Sequence, residues 1–167
     1  VTCVPINDLP KIASAGTHYC VIGGGKTSMD ACLWLLEQGV GQASISWVRP
    51  RDSWILNRAN IQPGKLSGPS SESFVRQLAL VGESNTSEEA FEKLAEAGIL
   101  LRLDDEVKPT MYRCATITES EFKELRGVTR VVRKGHVLSI DASGLQMERG
   151  SEVMPKGTVY INCTADG

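Results

Sequence analysis

The sequence predicts an α/β fold: a mostly parallel sheet flanked by helices, with an antiparallel β-meander in its C-terminal third. Three observations predict it. A short apolar run, His18–Ile22, breaks into Gly23-Gly24-Gly25 and then into a segment with helical spacing of its apolar residues. A second apolar run over residues 43–48 follows that helix, as the next strand of a strand–helix–strand unit would. From residue 128 onward, short apolar or alternating stretches are separated by turn sequences.

Each element has its own signal. Residues 1–17 contain Pro5, Pro10 and Gly16 and little periodicity, and read as a linker with a short lead-in; residues 18–167 read as one domain. Over residues 26–38, Met29, Cys32, Leu33 and Leu36 share one helical face, and Gly39 supplies the left-handed stop. Residues 50–70 are loop-like, with Pro50, Pro63, Gly64, Gly68 and Pro69. Residues 72–81 read as a helix. Ser87-Glu88-Glu89 opens another, with a capping serine and first-turn acids, ending at Gly98. Residues 99–103 suggest a third strand, and Thr118-Glu119-Ser120-Glu121 a capping box at the start of a short helix. The meander is expected from 128–132, 137–140 and 145–148, with turns at Lys134-Gly135 and Asp141-Ala142-Ser143-Gly144; 158–163 is a final strand. The absence of an initiator Met, and a strand running almost to the last residue, suggest a piece of a longer chain.

Composition bounds the function. A chain of 167 residues, 41% of them hydrophobic, is long enough to build a core without disulfide or metal staples. A net charge of -2 provides no broad positive field for nucleic acid or an anionic membrane, so an anionic ligand must be held by local features. The five cysteines are odd in number and scattered, which predicts a reducing, cytoplasmic setting. The two histidines, His18 and His136, lie far apart, and no metal-ligand spacing occurs. No signal peptide and no membrane-spanning apolar run is present.

The chemistry concentrates at Gly23-Gly24-Gly25-Lys26-Thr27-Ser28, which fits G-x-G-x-x-(G/A) with Ser28 in the third small position. Gly23 permits the tight turn, Gly25 lets a pyrophosphate approach the backbone, and Ser28 lets helix and strand pack closely. The free N–H groups of the helix start then face the phosphates, helped by the helix dipole. Lys26 and the Thr27 hydroxyl are further candidates for the same anion. This makes the expected fold Rossmann-like and the ligand a dinucleotide.

The second strand discriminates between dinucleotides. In NAD-specific folds an acid about 20 residues beyond the glycines bonds the adenine ribose. Here the strand leads into Arg49-Pro50-Arg51, and paired guanidinium groups suit a 2′-phosphate, which favours NADP. Asp52 is the NAD-side objection, although a carboxylate there also serves to orient an arginine. Two alternatives stay open. The turn also reads as an ordinary glycine-rich βα connection, with two solvated arginines, in a degenerate scaffold or interaction module that binds no cofactor. Gly25-Lys26-Thr27 also matches the end of a P-loop, but position 20 is Cys20 where that pattern needs glycine.

The residues Gly23 to Asp30, followed by Trp47-Val48-Arg49-Pro50-Arg51-Asp52-Ser53-Trp54-Ile55-Leu56-Asn57-Arg58, resemble the NADPH-binding domain of flavin-containing monooxygenase-like oxidoreductases. That family carries G-x-G-x-S-(G/A)-x-D, then a basic pair and a Trp-hydrophobic segment ending in Arg. Thr27 stands at its Ser position and Asp30 at its helix acid; Arg49 and Arg51 fall near its basic pair, separated here by Pro50. Cys163-Thr164-Ala165-Asp166-Gly167 is similar, in altered form, to the family's A-T-G segment.

The resemblance implies NADP(H) as ligand, with Gly23, Gly25, Lys26, Thr27 and Ser28 at the pyrophosphate and Arg49 and Arg51 at the 2′-phosphate. Trp54 is placed to flank the adenine or to pack under a loop, and Arg58 is a lesser basic candidate. It also implies FAD in a separate domain of the same parent chain. No second glycine fingerprint exists here, so this segment alone is expected to bind no FAD and to complete no turnover. Catalytic residues proper are not visible, and His18 and His136 read as structural or surface residues.

Overall fold

A computed structural model describes residues 1–12 and 18–164, with Leu66 described by its backbone alone. Gly16 of the expected lead-in and Ala165-Asp166-Gly167 of the similar C-terminal segment lie outside the described residues. In chain order the strands are β1 (Thr2–Pro5), β2 (His18–Ile22), β3 (Ile45–Val48), β4 (Ser53–Asn57), β5 (Leu100–Leu101), β6 (Met111–Ile117), β7 (Val131–Val132), β8 (Val137–Ile140), β9 (Gly144–Met147), β10 (Gly150–Val153) and β11 (Thr158–Asn162). The α-helices are α1 (Leu9–Ile12), α2 (Lys26–Glu37), α3 (Ser67–Gly82), α4 (Ser87–Glu96) and α5 (Glu119–Arg126). The chain divides into two units, one built from residues 1–51 and 124–167, the other from residues 52–123.

The first unit carries a five-stranded sheet of order β1-β11-β2-β3-β7, in which every neighbouring pair is parallel. β2 is central and buried along its whole length, which is why His18–Ile22 reads as a continuous run rather than an alternation. Its alternate residues Cys20 and Ile22 join Val48, Val132 and Tyr160 in a core cluster with Leu145, Met147 and Met154. Leu145 and Met147 belong to the antiparallel sheet β10-β9-β8, so the meander covers that face of the parallel sheet. Tyr19 and Val21 point to the opposite face, left for α2, which packs on β2. α2 buries Met29, Ala31, Cys32, Leu33 and Leu35. Each fully buried large aliphatic side chain of this kind contributes about 1.5–3 kcal/mol.

α2 ends as its sequence dictates. Gly39 takes a φ of +83°, its N–H donates to Leu36 O at 2.9 Å, and the Val40 N–H donates to Leu35 O at 3.0 Å. These two bonds are the Schellman pair, and they need the left-handed backbone that glycine adopts without strain.

The second unit has β4 in the middle of a three-stranded sheet, antiparallel to β5 and parallel to β6. Trp54, Leu56, Leu94, Ile99 and Leu100 form its core. α4 closes with the same glycine device: Gly98 has φ +71°, and the Ile99 N–H reaches Leu94 O at 2.9 Å. On β6 the register slips, with Trp54 opposite Tyr112 but Leu56 opposite Thr116. The extra residues form a bulge in which Cys114 takes a φ of +53°.

Several expectations need correction. Residues 2–5, read as lead-in, form the edge strand β1 paired to β11. The stretch 128–132, read as the first strand of the meander, yields β7, which joins the parallel sheet beside β3. The meander is β8-β9-β10, and its last strand was not signalled because Gly150–Val153 is polar and exposed at three of four positions. The loop-like region 50–70 contains β4, whose run Ser53–Asn57 is hidden between prolines. α3 starts at Ser67, before Pro69, which sits in its first turn where a missing N–H costs nothing. The cap of α4 is Thr86 rather than Ser87: its side chain accepts from the Glu89 N–H at 3.1 Å.

Candidate functional site

The glycine turn sits at the C-terminal edge of the parallel sheet. Registry aligns Asn162, Ile22 and Val48, so the turn after β2 lies between the tips of β11 and β3. In open parallel sheets this edge, at the strand where the order reverses, is where a crevice forms. β2 is such a strand, since the chain crosses by α2 to β3 on one side while β11 fills the other.

The three glycines do different work. Gly23 has φ +139°, and a Cβ there would meet the Cys163 carbonyl oxygen at 2.9 Å. A Cβ on Gly24 would lie 2.9 Å from the Arg51 carbonyl oxygen. Both therefore allow neighbouring main chain to close over the turn. Gly25 is the exception: a Cβ built on it meets nothing within 4 Å. The open space of the turn is above Gly25, the N-cap of α2.

Three hydrogen bonds fix the turn. The Gly23 N–H donates to Val48 O at 3.0 Å, the Trp47 indole Nε1 donates to Gly23 O at 2.8 Å, and the Cys163 N–H donates to Ile22 O at 2.9 Å. The Ser28 hydroxyl donates to Gly25 O at 2.7 Å, and the Ser28 and Met29 N–H groups converge on the same oxygen at 3.2 Å each. Ser28 is fully buried, its small side chain enclosed at the start of α2. Gly25 has no side chain to cap the helix, so the first-turn N–H groups that precede Ser28 have no side-chain cap at the positive end of the helix dipole.

The cations are placed unevenly. Arg51 follows β3 and is exposed, with its carbonyl against Gly24. Arg49 is only 4% exposed; its guanidinium carbon lies 4.7 Å from the centroid of the Trp47 ring. A guanidinium on an indole face is a favourable cation–π arrangement, which holds Arg49 inward rather than at the surface beside Arg51. Lys26 forms an ion pair with Asp30 one turn along α2, and Thr27 is exposed on the first turn. Trp54 belongs to the second unit: it is 3% exposed and stacks on Phe91, with centroids 5.8 Å apart and planes 7° apart. Of the expected set, the structure brings together Gly23, Gly25, Lys26, Thr27, Ser28, Arg49 and Arg51 around one turn, and places Trp54 in the other unit's core. Arg58 lies there too, donating to Thr116 O at 3.3 Å.

Sequence reasoning missed Trp47. It stands two residues before Arg49, on the same side of the extended chain, and that spacing is the signal that a cation–π pair was available. It also missed Cys163 as the contact of Gly23.

The thiols near the turn are not activated. Burial pushes the Cys163 thiol up to about 12, and burial likewise pushes the Cys20 thiol up to about 12. Both are protonated at neutral pH and are poor nucleophiles. His18 is buried in β2, its Nε2 2.8 Å from the Ser46 hydroxyl; burial, and secondarily the charge of Arg130, holds its pKa below the usual value. The P-loop alternative needs a long loop starting at position 20, whereas Cys20 is buried inside β2.

Among the described residues, no cluster of three or more His, Cys, Asp or Glu could hold a metal ion, and no helix is long and apolar enough to cross a membrane. No family model matches the chain. Over its whole length it is 42% identical to uncharacterized proteins of Mycobacterium tuberculosis and Mycobacterium bovis, and it spans 31% of the length of these relatives.

Proposed function

We propose that the first unit is a Rossmann-like module that binds NADP(H), as part of a longer flavin-dependent oxidoreductase of the monooxygenase-like kind. The observation that carries this reading is the vacant approach to Gly25 at the uncapped start of α2. A pyrophosphate there would accept from the uncapped N–H groups of the first helical turn, with the Thr27 hydroxyl in reach of the same anion. Arg51 is the exposed cation beyond β3 and takes the 2′-phosphate; Arg49 supports that loop from below through Trp47. Lys26 turns from Asp30 toward the phosphates. Bound NADPH supplies a hydride to FAD held by another part of the parent chain. The chain's own residues bind and orient the nucleotide. The scattered cysteines support a reducing, cytoplasmic setting.

A second reading is favoured by one observation: Lys26 and Arg49, two of the cations expected at the ligand, are engaged inside the protein. On that reading the unit is a scaffold without cofactor. Titration of the chain with NADP+ and with NAD+ separates the two. NADP+ should bind more tightly than NAD+, and Arg51→Ala should weaken NADP+ about tenfold, the loss of one charge-assisted contact, with NAD+ unchanged. Absence of saturable binding by either nucleotide refutes the cofactor reading and leaves the scaffold.

A further inference from the structure

The second unit contains a cavity of about 350 Å³ that the nucleotide reading does not use. Its size falls within the range of small-molecule sites. One wall is aromatic. Phe91 stacks on Trp54 and meets the edge of Tyr112, with centroids 5.4 Å apart and planes at 65°. The sheet creates this wall, because β4 and β6 run parallel with Trp54 opposite Tyr112 and Ser53 opposite Met111. The Thr110 N–H donates to Asp52 O at 3.0 Å and so fixes the start of β6. Tyr112 remains 41% exposed, so the wall is open to a ligand.

The rim carries both signs of charge. Glu88, in the first turn of α4, and Lys108 both line the cavity, and Lys108 Nζ lies 3.9 Å from the Glu92 carboxylate, at the outer edge of an ion pair that a ligand carboxylate would compete with. Glu88 is held in its ionised form by a bond to its own backbone N–H, by the Ser87 hydroxyl at 3.1 Å and by the field of Lys108. The aromatic and thioether surface of the cavity suits a flat apolar body through offset stacking and sulfur–ring contact. A carboxylate and an ammonium on one rim match a ligand that bears both an ammonium and a carboxylate.

We propose that this cavity binds a free amino acid with an aromatic side chain. The ring lies against Phe91, Tyr112 and Met111, the α-ammonium meets Glu88 and the α-carboxylate meets Lys108. The proposal does not depend on nucleotide binding, which lies in the other unit.

The test uses the whole chain and three probes: L-phenylalanine, phenethylamine, which lacks the carboxylate, and 3-phenylpropionate, which lacks the ammonium. Amide chemical shifts are followed during each titration. L-Phenylalanine should bind most tightly, with shifts concentrated over residues 87–91 and 108–112. Glu88→Gln should weaken L-phenylalanine and phenethylamine about tenfold and leave 3-phenylpropionate unchanged, while Lys108→Met should do the reverse for the two single-charge probes. Both side chains are exposed, so both variants keep the fold, which the unperturbed amide spectrum checks. The proposal is overturned if no probe shifts these residues, if the shifts fall on the exposed apolar residues Phe74 and Leu78 of α3 instead, or if neither variant changes the order of the three probes.

Discussion

The indole of Trp47 donates a 2.8 Å hydrogen bond to the carbonyl oxygen of Gly23 while its ring face carries the guanidinium of Arg49. One buried side chain thereby ties the turn after β2 to the tip of β3. It determines where the open space above Gly25 lies relative to the Arg49-Pro50-Arg51 loop. Trp47→Phe keeps most of the apolar volume and removes the donor, leaving a buried carbonyl without that partner. Loss of about 1–3 kcal/mol is expected, read as a lower midpoint in chemical denaturation. A midpoint unchanged from wild type would mean that the bond contributes nothing net.

Gly24 and Gly25 should respond differently to the same added methyl group. Gly24→Ala drives a Cβ into the Arg51 carbonyl, main chain that can move only with the whole loop, and should cost about 1–3 kcal/mol. Gly25→Ala meets nothing within 4 Å and has an extended φ of −96°, so it should cost less than about 1 kcal/mol. The second variant should still weaken NADP+, because the methyl occupies the proposed phosphate approach. Paired denaturation and nucleotide titrations of the two variants measure both effects.

His18 gives the first unit an acid-side dependence of stability. Its folded pKa lies below the unfolded value of about 6.5, so at mildly acidic pH the unfolded chain binds more protons than the folded one. Stability from the neutral ring is therefore fully present above the unfolded pKa and is lost as pH falls from there toward the folded pKa. Denaturation midpoints taken between about pH 7 and pH 5 should fall for wild type and fall less for His18→Gln. Parallel curves for the two proteins would remove His18 as the cause.

Thr86→Ala should destabilise the second unit by about 1 kcal/mol, because the Thr86 side chain is the acceptor for the Glu89 N–H at the start of α4. Thr86→Ser should recover most of the loss. Differential hydrogen exchange along α4 reads the effect locally. Equal exchange in all three proteins would show that the cap does not limit opening of the helix.

The parts of the fold that were legible in the sequence are those where local chemistry and tertiary role agree. β2, the glycine turn and α2 could be read because a fully buried strand is apolar throughout, and because the left-handed stop needs Gly39. β1 and β10 were illegible: Thr2–Pro5 and Gly150–Val153 are mostly exposed edge strands, held by ladder bonds that leave no periodic signature. β7 was assigned to the wrong sheet because Val131 and Val132 carry no signal of which partner they pair with; that is decided by the position of β3. At the candidate site, the residue types and their gathering at one turn could be read from spacing. The inward placement of Arg49 could not, since a guanidinium beside a strand tip is equally suited to a phosphate or to an indole face.

β11 lies between β1 and β2, so two early strands of this unit are bridged by one that comes much later in the sequence. Until Thr158–Asn162 emerges, one flank of β2 presents bare amides and carbonyls along its length. Such long-range pairing slows folding, because a wide loop must close before any bond rewards it. The chain is most vulnerable to edge-to-edge association during that interval.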